Sequence, residues 1–205
     1  MKNFASPAFC SRRQTAHKQA QRGITTVQVA IGILVSVIAL VGSFAGFQYV
    51  QQAKVNTDVA AMADLKAATM RYGSVLGTNG FTNGNSSLPQ LISMGFFGSS
   101  AFSVTSSSAV LNQYQGGVSV ALPATNELPS NFDGLAFTFL GMPATSCRDV
   151  AMRIDNLAAM IQGGGNGSVT TNIKVVGGTV IPENAISACN GTGSTNMLRV
   201  IFTRT

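Results

Sequence analysis

From Ile24 to Val50 nearly every position is apolar: Ile24, Val27, Val29, Ile31, Ile33, Leu34, Val35, Val37, Ile38, Leu40, Val41, Phe44 and Phe47. No charged residue falls between Arg22 and Lys54, and no proline interrupts the run. As a helix it extends about 40 Å, enough to cross a hydrocarbon layer of about 30 Å with tilt. It is too long for the apolar region of a cleaved secretory signal, which spans roughly 7–15 residues. Gly32, Gly42 and Gly46 are tolerated in a membrane helix and mark places for a bend or close packing.

The pattern then changes without breaking. In "QQAKVNTDVAAMADLKAATMRYGSVLG", Val55, Val59, Met62, Leu65, Thr69, Tyr72 and Leu76 recur at steps of three and four. That is one apolar stripe on an otherwise polar helix. Lys54 and Asp58, four apart, are placed to pair weakly on the outer face. Gly73 or Gly77 offers a C-cap. The sequence therefore predicts one helix of roughly fifty residues, about 75–80 Å long. Its second half must lie against a globular domain. Its first half must be buried in lipid or in copies of itself.

Beyond the helix, "GTNGFTNGNSS" at 77–87 reads as a surface loop. A short helix follows, with Ser87 as cap, Pro89 in the first turn, and Leu91, Ile92 and Met94 as apolar contacts. Strand patterns cover Ala101–Val104, Gly117–Leu122 and Leu135–Leu140. "SCRDVAMRIDNLAAMIQGGG" predicts a second helix, with Ser146 as cap, a stripe of Val150, Ile154, Leu157 and Ile161, and a stop at Gly163. "VTTNIKVVGG" and "NMLRVIFTR" close the chain as strands. Strands flanked by helices predict an α+β head with an antiparallel sheet. The pairs Phe96–Phe97 and Phe137/Phe139 read as core.

Charge refines this picture. The chain carries a formal net charge of +6 over 205 residues, which invites a nucleic-acid reading. Yet Lys2, Arg12, Arg13, Lys18 and Arg22 all precede Gly23, where no acid occurs; beyond it, eight basic residues face seven acids. The basicity belongs to the first 23 residues, and no basic stripe suited to DNA or RNA follows. No directly bound nucleic acid is expected. The same asymmetry places the basic segment in the cytoplasm and the C-terminal domain outside.

Chemistry is excluded more than suggested. The only histidine, His17, lies in the basic segment, so the remainder lacks Ser–His–Asp and Cys–His arrangements and the commonest metal ligand. Asp149 and Asp155 are six apart on the second predicted helix and read as two solvated carboxylates. "GGGNG" at 163–167 lacks the Lys-Ser/Thr of a phosphate loop and reads as a flexible helix-to-strand turn. Asn85, Asn166 and Asn190 head Asn-x-Ser/Thr triplets at a frequency that chance supplies. No catalytic residue, metal or cofactor is expected. Cys10 precedes Gly23, leaving Cys147 and Cys189 as an even pair; they read either as a disulfide in an oxidising compartment or as two small buried thiols. An outward-facing C-terminal domain favours the disulfide, tying the start of the second helix to the segment before the last strand.

A basic leader ending in Gly, then an uninterrupted apolar helix continuing into an amphipathic one, resembles a type IV prepilin. The 23-residue leader resembles the type IVb class, and the whole is most similar to PilS-type pilins of conjugative thin pili. The resemblance covers the entire chain: leader 1–23, N-terminal helix 24–76 with 24–50 as membrane and filament core, and globular head 77–205. It implies that a membrane-embedded prepilin peptidase cuts between Gly23 and Ile24, and that Ile24 is N-methylated. It implies a filament of identical subunits, put together by inner-membrane machinery and displayed on the cell surface. The family's glutamate at the fifth mature position falls on Gln28, where this sequence departs. A glutamine can accept a hydrogen bond from a neighbouring subunit's ammonium but cannot cancel its charge, and a buried uncompensated charge is costly. Gln28 alone, a cluster with Thr25 and Thr26, or a role as a minor pilin or pseudopilin are the possible answers. A signal-anchored periplasmic binding protein explains the span and orientation, but not Gly23 at the junction or the fifty-residue helix.

Overall fold

The structure is a computed structural model that describes residues 26–77, 80–129, 133–165, 167–193 and 195–204. The chain divides into two compact units, one up to Phe44 and one from Ala45 onward. Helix α1 (Thr26–Leu76) runs without interruption for 51 residues through both. In the first unit two serine hydroxyls are satisfied along the helix, Ser36 Oγ donating to Gly32 O and Ser43 Oγ to Ala39 O, both at 2.7 Å. The helix ends where Gly77 takes φ +58°, a left-handed conformation that glycine adopts without strain. Of the two expected caps, Gly77 is the one used. Gly73 instead lies one turn inside, where a Cβ would meet Arg204 Cβ at 2.5 Å.

In the second unit, the rest of α1 packs on a head whose described residues form ten further elements. These are α2 (Leu88–Ser93), β1 (Phe102–Ser106), β2 (Ala109–Asn112), β3 (Gly117–Ala121), β4 (Gly134–Met142), α3 (Ala144–Arg153), β5 (Met160–Gly165), β6 (Thr171–Lys174), α4 (Pro182–Ala188) and β7 (Asn196–Thr203). The strands form one seven-stranded sheet in the order β1-β2-β3-β4-β7-β5-β6, with every pairing antiparallel. The expected α+β head with an antiparallel sheet is therefore present.

Alternation along the central strands decides what each face does. Leu135, Phe137 and Phe139 of β4 and Leu198, Val200 and Phe202 of β7 are fully or almost fully buried. They share one core with Val55, Met62 and Leu65 of α1. The stripe read from the sequence is the face that docks. Phe96 and Phe97 join the same core, Phe96 stacking on Phe137 at 6.4 Å and Phe97 meeting Phe102 edge-on at 5.4 Å. The alternate residues Ala136, Met160 and Ile201 form a smaller cluster with Leu128.

Several elements differ from the expectation. The second helix stops at Arg153 rather than Gly163, and 160–165 is strand β5. The apolar spacing of Ile154, Leu157 and Ile161 fits either state over so short a run, and the ladder to β7 decides: Met160 pairs with Ile201, Ile161 with Val200, Gln162 with Arg199. The glycines that follow are strand residues, not a flexible turn. At Gly163 a Cβ would meet Ala188 Cβ at 2.7 Å and Ile173 Cδ1 at 2.9 Å; at Gly164 it would meet Ser168 O at 2.0 Å. Close approach of neighbouring chain, not mobility, requires glycine there. Ser146 is an interior residue of α3, whose cap position is Pro143. Ser87 does precede α2, but its side chain makes no capping bond. The 77–87 segment is tied down in its described part: Phe81 is buried and its N–H donates to Asp133 Oδ2 at 2.8 Å.

Candidate functional site

With no catalytic constellation expected, the surfaces that matter are the apolar half of α1 and the seam joining its other half to the head. In the apolar half, every residue from Gln28 to Val50 is exposed. Leu34 is 62 % exposed, Ile38 63 % and Phe44 70 %, values with no parallel among large side chains of a folded core. By length and composition α1 can cross a membrane. Gln28 lies in the first turns of this half. Gly23 and Ile24 fall outside the described residues.

The seam has two parts of different chemistry. From Ala61 to Tyr72 it is apolar: Ala61, Met62 and Leu65 are buried, Thr69 Oγ1 returns a bond to Leu65 O at 2.8 Å, and the Tyr72 ring meets Phe81 and Phe96 edge-on. From Gln51 to Asp58 it is mostly polar, with Val55 the buried apolar contact. Ser146 Oγ donates to Gln51 Oε1 at 3.5 Å, Gln113 Nε2 to Lys54 O at 2.7 Å, and Arg153 Nη1 to Asn56 Oδ1 at 2.6 Å. Tyr114 OH donates to Asp58 Oδ2 at 3.0 Å, and Lys54 Nζ sits 5.6 Å from the centre of the Tyr114 ring.

Asp58 therefore corrects the sequence reading. It is not an outer-face partner for Lys54 but a buried carboxylate, 5 % exposed, on the docking side of the helix. Burial pushes its pKa up to about 6, against the lowering effect of the Gln113 and Tyr114 hydrogen bonds and the Lys54 charge. Tyr114 is itself pushed above the ordinary phenol range, first by burial and further by the Asp58 charge, so it keeps its proton and remains the donor. The signal was present in the sequence: Asp58 lies three after Val55 and four before Met62, within the stripe itself.

Other charged groups act as clamps. Asp155 pairs with Lys174 at 3.0 Å and accepts the Val180 N–H at 3.1 Å, so it is no solvated carboxylate. Arg204 pairs with Asp133 at 3.3 Å and donates to the Gly73 and Gly77 carbonyls at the end of α1, satisfying acceptors that the helix leaves open. Glu127 pairs with Arg199, which also donates to Gln162 Oε1 at 2.8 Å. Burial alone raises the Glu127 pKa, but Arg199 and the Ala124 N–H outweigh it and hold the carboxyl below its ordinary value. These pairs span 19, 71 and 72 positions of sequence, beyond the reach of any local pattern.

Cys147 in α3 and Cys189 at the end of α4 form a disulfide with Cα atoms 5.8 Å apart, closing a separation of 42 residues. Of the two readings of this pair, the disulfide is the one realised. Cys189 is the C-cap residue of α4, so the bond ties α3 to the segment before β7, as expected, and holds α3 and α4 together on the β7–β5–β6 side of the sheet.

No protein-family model and no curated protein matches the sequence. Among solved structures, the chain is similar to the crystal structure of a type IVb pilin from Salmonella typhi: TM-score 0.51 and 21 % identity, over 72 % of this chain and 98 % of that one. An NMR structure of the type IVb pilin PilS from Salmonella typhi aligns with TM-score 0.39 and 18 % identity, over 78 % and 96 %. The long apolar N-terminal helix, the antiparallel seven-stranded sheet and the Cys147–Cys189 bond thus assemble into the fold of the crystallised type IVb pilin.

Proposed function

We propose that this chain is the structural subunit of a type IVb pilus, serving conjugative DNA transfer or cell adhesion. Its action is physical rather than enzymatic. A prepilin peptidase removes residues 1–23 after Gly23, and Ile24 becomes an N-methylated terminus. The precursor resides in the inner membrane, and the mature subunit moves into an extracellular filament of identical copies. The apolar half of α1 then exchanges lipid for the same segment of its neighbours. Lipid tails are as apolar as leucine, so packing and polar contacts drive that exchange rather than a gain in hydrophobic burial. The observation that carries this reading is the run of exposed apolar side chains from Val29 to Val50 on a helix whose continuation is seated in a pilin-fold head.

Gln28 favours a second reading, a minor pilin or pseudopilin, because it cannot neutralise an ammonium buried in a filament core. Mass spectrometry of sheared surface filaments separates the two. Abundant polymer beginning at a methylated Ile24 is expected for the main subunit, and a trace amount for the minor one. Absence of the chain from filaments rejects both and leaves a membrane-anchored binding protein. A Gly23→Phe substitution is expected to leave an uncut, membrane-retained precursor; maturation of that variant to the shorter mass would overturn the cleavage assignment.

A further inference from the structure

The polar part of the seam differs from the apolar part in what it costs to open. Separating Ala61–Tyr72 from the head exposes apolar surface, and the cost does not depend on protons. Separating Gln51–Asp58 uncovers Val55, breaks a handful of hydrogen bonds and returns one buried carboxylate to water. We infer that Asp58 is a proton-operated latch on the attachment of residues 51–58 of α1 to the head, closed when the carboxyl carries its proton and opened more readily when it is ionised.

The geometry supplies each requirement. Asp58 is enclosed between its own helix and the turn that holds Gln113 and Tyr114. The charged and titratable groups around it are few. Lys54 lies one turn earlier on α1, Tyr114 faces it from the turn, and the charge of Asp149 in α3 acts on Tyr114. Gln51, Gln113 and Ser146 complete the surroundings and do not titrate. Among the described residues Lys54 is the one cation acting on Asp58, and its ammonium lies 5.6 Å from the centre of the Tyr114 ring.

The direction follows from the two environments. In the closed seam Asp58 titrates near 6, whereas in water a carboxyl of this type titrates at 3.8. The open form therefore loses its proton at lower pH than the closed form, and the population of open seam rises with pH between these values. Over the interval from pH 5 to pH 8 this amounts to about tenfold more frequent opening.

Hydrogen exchange of the full chain in detergent micelles, with amide rates divided by the intrinsic rate at each pH, tests the latch. Amides of α1 at 52–60 are expected to lose about tenfold in protection from pH 5 to pH 8. Asp58→Asn, close in shape and without the titration, is expected to remove that slope. Asp64→Asn, an exposed acid on the same helix, is expected to keep it. Tyr114→Phe removes a donor to the carboxylate and is expected to steepen the slope. Three outcomes overturn the inference: a flat profile in the wild type, an unchanged slope in Asp58→Asn, or an equal slope in β4 and β7, which would mark global rather than local opening.

Discussion

Leu40 and Leu65 occupy the same helix, twenty-five positions apart, and have opposite fates: Leu40 is 60 % exposed and Leu65 fully buried. Backbone and residue type are alike, so the difference lies in what surrounds them. Leu65 sits among polar neighbours on a stripe and finds its partners on a sheet of the same chain. Leu40 sits among residues that are apolar all round, and among the described residues none from its own chain covers it. A helix of the first kind completes a domain, while one of the second kind requires another solvent or another molecule.

The sharpest way to separate the two regions is to remove the disulfide. Replacing both Cys147 and Cys189 by Ser is expected to destabilise the head by about 4 kcal/mol on the chain-entropy view of a loop this long. Thermal unfolding followed by near-UV circular dichroism measures it, and the apolar half of α1 should stay helical in micelles throughout. Next comes a matched pair of truncations. Leu65→Ala is expected to cost about 3 kcal/mol, through lost burial and the cavity left behind. Leu40→Ala is expected to shift the same transition by less than about 0.5 kcal/mol. Equal effects would dissolve the comparison between the two halves.

The smallest expected effect concerns Glu127. Its pKa is held below the ordinary value in the folded head, so its contribution is present above the unfolded pKa and lost as pH falls through the folded one. Glu127→Gln is expected to destabilise by about 1 kcal/mol at pH 7, a difference that is gone at a strongly acidic pH where the carboxyl is protonated in the folded head as well. Urea titrations at the two pH values read it directly.

Much of this fold was legible because periodic patterns are local. The stripe from Val55 to Leu76 and the alternation in "LAFTFL" each state which side is buried, and the structure buries those sides. Elements shorter than a full pattern were not legible. Strand β2 has four residues and α4 has seven, although Pro182 at its start and Glu183 in its first turn are recognisable helix signals. Strand β5 reads as helix from sequence because Ile154, Leu157 and Ile161 keep a helical step across a real turn, while one of its two partners, β7, lies some forty residues away. Among the candidate site residues, the cysteine pair was legible from counting together with the outward-facing topology, because counting alone leaves two buried thiols as the other reading. Asp58 was misplaced because its charge was weighed ahead of its position in the stripe. Gly23, Ile24 and Gln28 rest on the resemblance to prepilins, and the tests given above address them.

The position of β7 has a consequence for how the molecule comes into being. Residues 196–203 lie between β4 and β5, supplying both with their neighbour. Until residues 196–203 are in place, β4 and β5 have no common edge, and the head consists of two fragments around a missing centre. Nucleation must then wait for contacts between segments far apart in sequence, the slow kind of closure. The unfinished head stays open and vulnerable to its surroundings until β7 arrives to zip it shut.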